Sequence, residues 1–287
     1  MHARHVLLLS AFLLPLATHP VLAQQSAAKP LPDLHQLMRE VQQHQKQVDE
    51  ARENYTYTSF QTIEEIDASG QVTKTGSREY EIFYVNGHQI GRLVKKDGKP
   101  LSEEELRRQT LDVGQKVNDA VNTPAGQAPA GSGKAISIRH LIDLMDMRNP
   151  RRESYRGRAA IVFDVVGRKD ADTHGIAEDA SKKLKGTVWI DETDRVISRM
   201  EVTFIDNFHL GGGAMANIEK GSSIRLDQGL VNGEVWLPTA ADVTMVVRVF
   251  MVKETRQHTV EHVSDYKRFH VDVEPGKDVK TILDKLP

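Results

Sequence analysis

The sequence predicts an α+β fold: one large, curved antiparallel β-sheet, an incomplete barrel, with helices covering its concave face. Three observations lead there. Residues 187–204 read as two strands joined by an acidic turn at 191–194; in the second strand Val196, Met200, Val202 and Phe204 share one face, and Arg199, Glu201 and Thr203 the other. A period of two marks a half-buried sheet with one apolar side. Asn86-Gly87 and Asn232-Gly233 are strong hairpin signals, because both central turn positions need positive φ. Roughly nine to eleven strands follow one another through short turns, which favours local antiparallel pairing.

The chain begins Met-His-Ala-Arg-His, continues with an apolar run over residues 6–17, and reaches Val21-Leu22-Ala23. This reads as a secretory signal cleaved after Ala23. The run is too short for a bilayer span, which needs about 20 residues. Its removal leaves 264 residues, enough to bury a sizeable core. Cysteine is absent, which excludes a lipidated cysteine, disulfides and thiol chemistry. The net charge of −2 offers no basic footprint for nucleic acid.

Residues 24–32 are rich in Gln, Ala and Pro and read as a flexible mature N-terminus. A single domain is expected over 33–272. It opens with a helix over 32–54, whose Leu34, Leu37, Met38, Val41, Val48 and Ala51 fall on one face. Strands follow at 55–67, 71–85 (Tyr80, Ile82 and Tyr84 on one face) and 88–95. Ser102 and Glu105 form a capping box for a second, weakly apolar helix with the stripe Leu106, Thr110, Val113, Val117 and Val121. Residues 122–134 have the composition of a flexible excursion. Ile138, Leu141, Ile142 and Met145 then mark a short apolar helix over 136–147. Further strands are expected at 159–167, in the hairpin of 187–204, and at 218–226, 232–237, 242–254 and 257–271. A polar loop at 168–183 and a tail at 273–287 complete the organisation.

Motifs for chemistry are weak. His258-Thr-Val-Glu-His262 has the spacing of a helical zinc site. It lies in an alternating strand pattern, where positions four apart are roughly 13 Å distant, too far for one zinc. Gly211-Gly212-Gly213 lacks the Lys-Ser/Thr of a phosphate loop. No Gly-x-Ser-x-Gly elbow is present. A carboxylate dyad brought together from distant strands stays open. Asn54-Tyr55-Thr56 is a glycosylation sequon, meaningful only in a eukaryotic secretory pathway. No catalytic residue, metal site or cofactor is assigned.

The first helix, the Tyr55-Thr-Tyr-Thr start of the meander, Gly186-Thr-Val-Trp-Ile-Asp191 turning into Arg195-Val-Ile-Ser-Arg-Met200, Val235-Trp-Leu-Pro238 and Ser264-Asp-Tyr-Lys-Arg-Phe269 together resemble the periplasmic outer-membrane lipoprotein carrier and sorting superfamily, with its LolA/LolB-like fold. The resemblance covers most of residues 33–272. It implies an incomplete antiparallel barrel with a helical lid and lipid chains held between the two. It also implies a periplasmic home, with a lipid or acylated protein as partner. Envelope proteins are further candidate partners.

The expected function is therefore that of a non-enzymatic carrier or sensor of a hydrophobic ligand. Phe60, Tyr80, Ile82, Phe163, Met200, Phe204, Met245 and Met251 are the candidate lining of its cavity, and Leu141, Ile142 and Met145 the lid. Methionine favours an adaptable lining but also fills ordinary cores. The alternatives are a protein-binding or structural module with a packed core, and an envelope hydrolase.

Overall fold

A computed structural model describes residues 30–124, 138–210, 216–249 and 253–269. The signal sequence, most of the 122–134 excursion, Gly211-Gly212-Gly213, Met251 and the tail at 273–287 lie outside the described residues.

Helix α1 (Leu34–Arg52) starts where the Asp33 carboxylate accepts from the Gln36 N–H. A meander follows: β1 (Tyr55–Ile66), β2 (Val72–Val85), β3 (His88–Lys96) and the short β4 (Lys99–Pro100). Asn86-Gly87 turns β2 into β3 with φ of 49° and 77°, as the two-residue hairpin requires. Helix α2 (Glu103–Val121) begins at Ser102, which with Glu105 closes both hydrogen bonds of the capping box. After α3 (Ile138–Asp143) come β5 (Met145–Tyr155), β6 (Arg158–Gly167), α4 (Ile176–Ser181), β7 (Leu184–Asp191) and β8 (Ile197–Phe204). Next are β9 (Phe208–Leu210), β10 (Ala216–Ile218), β11 (Ser223–Val231), β12 (Val235–Val249) and β13 (Lys253–Arg268).

All these strands join one antiparallel sheet in the order β4-β3-β2-β1-β13-β12-β11-β8-β7-β6-β5, with β9 and β10 branching from β12. Pairing of β1 with β13 brings the two ends of the domain together. The sheet is not closed, since β4 and β5 remain at its edges.

Several sequence expectations change. The helix expected over 136–147 stops at Asp143, and Met145 opens β5 instead. Strand β5 was not anticipated, because its Arg-rich sequence contains Pro150. Proline is tolerated there because β5 is an edge strand with a register break between Arg148 and Arg151. The loop expected at 168–183 contains α4. Residues 235–237 and 242–249 of the strands expected at 232–237 and 242–254 belong to one element, β12, whose pairing shifts register opposite Gln228 and Pro238, while Lys253 and Glu254 open β13. In β8 the apolar face is Ile197, Met200, Val202 and Phe204, not Val196. Ser198 is the extra residue of a bulge between the Trp189–Arg199 and Ile190–Ile197 pairs, so the alternation slips by one. Val196 packs instead with Val48 and Trp236.

The helices lie on both faces. Leu37 and Val41 of α1, with Leu141 and Ile142 of α3, pack on the concave face against Ile161, Phe163, Val188 and Met200. Helix α2 packs on the outer face through Val113, Val117 and Ala120, against Phe83, Val85 and Ile90. The run Ile82-Phe83-Tyr84-Val85 is therefore buried on both sides. Leu106, expected in the α2 stripe, is exposed.

Candidate functional site

The concave face divides into two parts. Under α1 and α3, strands β5–β8 present Met145, Ile161, Phe163, Val188, Met200, Val202 and Phe204 as one sealed core. Of the residues expected to line or cover a cavity, Phe163, Met200, Phe204, Leu141, Ile142 and Met145 are all in this cluster. They are close-packed neighbours there; Met145 contributes from a strand. A rim of half-buried apolar side chains surrounds the cluster: Met38, Ile138, Met147, Phe208, Ile218, Ile224 and Leu226. Met245, on β12, is half-buried and shares its side with Val243 and Val247 by strand alternation.

Beyond this, β1 and β13 carry a polar concave face. Register places Ser59, Gln61 and Ile63 opposite Val263, Glu261 and Thr259. Tyr80 and Ile82 face the same side, next to Tyr57 and Tyr84 in a separate cluster. Phe60 does not share the expected lining: it pairs with Glu79 and His262 while its neighbour Ser59 pairs with Tyr80. It therefore points to the outer face, where it is 41% exposed.

Helix α1 is fastened over the core by polar contacts. Arg195 holds Glu40 at 3.0 Å, His44 Nδ1 lies 2.8 Å from the Asp194 carbonyl, and the Gln42 amide donates to Asp143 at the end of α3. Asp194 and Arg195 belong to the acidic turn after β7. That turn is built by Asp191, whose carboxylate accepts from the N–H groups of Thr193 and Asp194 and from Arg158. Burial pushes the Asp191 carboxyl up, but Arg158 and the turn N–H groups outweigh it and hold it below its ordinary value.

A polar cluster under the C-terminal end of α1 has no counterpart in the sequence expectations. Arg52, beside Asp49, lies over the Tyr84 ring and near Tyr57, whose ring meets that of Tyr266; buried Gln45 stands one turn before Asp49 on the same helix. The Tyr57 and Tyr84 hydroxyls are 3.3 Å apart, and burial pushes both phenols above their ordinary value. One sequence signal existed: the apolar stripe of α1 is interrupted between Val41 and Val48, where Gln45 stands.

Two concavities lie elsewhere. An open groove of about 410 Å³ is lined by Asp164, Lys185, Thr187, Glu201 and Thr203. A hollow of about 240 Å³ is lined by Tyr155, Arg156, Arg158, Asp191, Gln228 and Trp236. The His258–His262 stretch is strand, as expected. Both ring nitrogens of His258 are engaged by carboxylates, Glu64 at 3.1 Å and Asp242 at 3.0 Å. Among the described residues no group of three His, Asp or Glu side chains is placed to hold a metal ion, and no helix is long and apolar enough to cross a membrane.

No protein-family model matches the sequence, and no curated protein matches it. Among solved structures the chain is similar in fold to a DUF1329 family protein from Desulfovibrio piger, at 11% identity over 85% of this chain and 96% of that one, with a TM-score of 0.37. It is similar to a LolA superfamily protein from Nitrosomonas europaea, at 12% identity over 80% and 94% of the two chains, with a TM-score of 0.33. It is also similar to a domain described as an outer membrane lipoprotein-sorting protein from Vibrio parahaemolyticus, at 13% identity over 87% and 100%, with a TM-score of 0.36.

Proposed function

We propose that this protein is a non-enzymatic carrier or sensor, exported to the periplasm by a cleaved signal, that holds the apolar chain of a lipid or acylated protein between its concave face and helices α1 and α3. The observation that carries this reading is the continuity of the main cluster with its half-buried rim. The sealed core of Phe163, Met200 and Phe204 runs without a polar break into Ile218, Ile224 and Leu226. An acyl chain entering there replaces helix–sheet contacts with chain–sheet contacts, so apolar burial is conserved. Entry requires α1 and α3 to lift, and the contacts of Glu40, Gln42 and His44 set the resistance to that motion. The signal-like residues 1–23 support export.

A packed-core, protein-binding module is the second reading. The near-complete burial of Phe163, Met200, Leu141 and Ile142 favours it. Native mass spectrometry of the mature protein, purified from the periplasm without detergent, separates the two. A lipid-sized adduct released by solvent extraction supports the carrier. A bare mass that stays unchanged after incubation with phospholipids and acylated peptides overturns the carrier and leaves the module.

A further inference from the structure

We propose that the hollow where β8 and β11 part binds an aromatic ring that carries a carboxylate, the ring against Trp236 and the carboxylate on Arg156. The site is separate from the main apolar cluster and does not depend on the apolar-chain reading above.

The hollow exists because two strand irregularities meet. Pairing of β8 with β11 runs from Thr203–Ser223 to Arg199–Asp227 and goes no further. Next to that last pair, Ser198 bulges from β8, and β11 shifts its register against β12 between Asp227 and Gln228. The buried Gln228 amide donates to the Ile197 carbonyl at 2.9 Å and bridges the gap. The resulting hollow has a volume of about 240 Å³. Bulges recur beside binding sites because they re-aim side chains. An apolar cavity of about 150 Å³ holds a benzene ring, so this one has room for a ring and a short arm.

Its aromatic surfaces are fixed in advance. The Arg158 guanidinium lies 5.5 Å over the Trp236 ring. Asp194 ties the two together, accepting from Arg158 at 2.7 Å and from the indole N–H at 2.9 Å. Tyr155, also in the lining, donates to Asp227 at 2.6 Å and lies under the Arg156 guanidinium at 5.3 Å. Ala160 and the half-exposed Leu230 add apolar surface. Rigid walls of this kind spare a ring the ordering cost of binding.

The two guanidiniums differ in what they can still hold. Arg158 is committed to Asp191 at 2.9 Å and to Asp194. Arg156 has a side chain 51% exposed, stands 3.9 Å from Asp227 and donates to the Thr239 hydroxyl at 3.3 Å. Asp227 is buried behind it and already accepts from Tyr155. A carboxylate arriving from solvent therefore meets Arg156 first, and the planar fork can give it two N–H bonds.

The test titrates the mature protein by calorimetry with 3-phenylpropionate, its amide and propionate. The acid should bind about tenfold more tightly than the amide, the worth of one charge-assisted pair, and propionate should bind more weakly than the acid for want of a ring. In Trp189→Phe protein Trp236 is the sole tryptophan, and its emission should change over the same concentrations. Arg156→Gln should bring the acid down to the affinity of the amide. Arg156→Lys, which keeps the charge without the fork, should fall between. Failure of the acid to bind overturns the site. So does equal affinity for acid and amide, binding without a change in Trp236 emission, or a folded Arg156→Gln protein that keeps the preference. The peptide Gly-Gly-Phe identifies the source of the ligand: tighter binding than 3-phenylpropionate points to a peptide C-terminus and weaker binding to a free aromatic acid, and either supports the site.

Discussion

Val162 and Phe163 are neighbours on β6, both sealed from solvent, yet on opposite faces of the sheet. Phe163 fills the core under α1; Val162 pairs with Trp189 on the outer face. There Arg199 lies between the rings of Tyr155 and Trp189, at 5.4 and 5.2 Å, a stacking that shields the strand while keeping a charge at the surface. Phe163→Ala removes a full aromatic from a packed site. It should lower unfolding free energy by about 3–5 kcal/mol in urea titrations. His258 is held between two carboxylates. Hydrogen bonds to Glu64 and Asp242 raise its pKa above 6.5, against a smaller opposing effect of burial. A raised folded-state pKa contributes stability that is fully present below about 6.5 and is lost as pH rises through the folded value. His258→Gln should therefore destabilise the protein more at pH 5.5 than at pH 8.5, as urea midpoints at the two pH values will report. An imidazole NMR titration midpoint at or below 6.5 would contradict the assignment.

At the scale of elements, α1 and α2 are held by different physics. Helix α2 starts with a complete capping box but exposes Leu106 and Leu111, so its stability leans on its ends as well as on Val113 and Val117. Ser102→Ala should cost about 1 kcal/mol, measured by urea unfolding. Helix α1 is pinned instead by side chains to the turn after β7 and to α3. If it is a lid, loosening those contacts lowers the free energy of opening without emptying the core. Glu40→Ala should speed hydrogen exchange in α1 several-fold while leaving β6–β8 protected. It should also speed uptake of an acyl probe. Uniform acceleration across the sheet would mean that α1 is integral to the fold and not a lid.

At the scale of the whole molecule, one continuous sheet carries two unlike halves. Strands β5–β8 are covered on the concave side by α1 and α3, and among the described residues they hold the strand side of the largest apolar cluster. The distal end of β2 leaves Val72, Thr73, Lys74 and Thr75 exposed. Backbone amides near Glu65 and Lys74 should therefore exchange orders of magnitude faster than those of Val188 and Met200, since local opening there sacrifices little apolar burial. The asymmetry also places any apolar ligand on the helix-covered half. The concave side of β1 and β13, with Ser59, Gln61 and Glu261, is too polar for an acyl chain.

Local patterns were legible because local physics sets them. The two Asn-Gly turns, the capping box at Ser102, the alternation of Met200, Val202 and Phe204 and the inward stripe of α1 all depend on neighbours within a few residues. They were sufficient for an open antiparallel sheet with helices, and for placing Met200, Val202 and Phe204 on one apolar face. Pairing across the chain decided the rest. The β1–β13 register turns Phe60 away from Tyr80, and the bulge at Ser198 exchanges Ile197 for Val196. An edge position makes Pro150 acceptable in β5. Packing seals much of the expected lining as core, and the same packing gathers Arg52 and three tyrosines far apart in sequence into one polar cluster. Alternation along a strand tells that a face is apolar; only the elements that come to lie on it decide whether that face is filled, open or polar at its end.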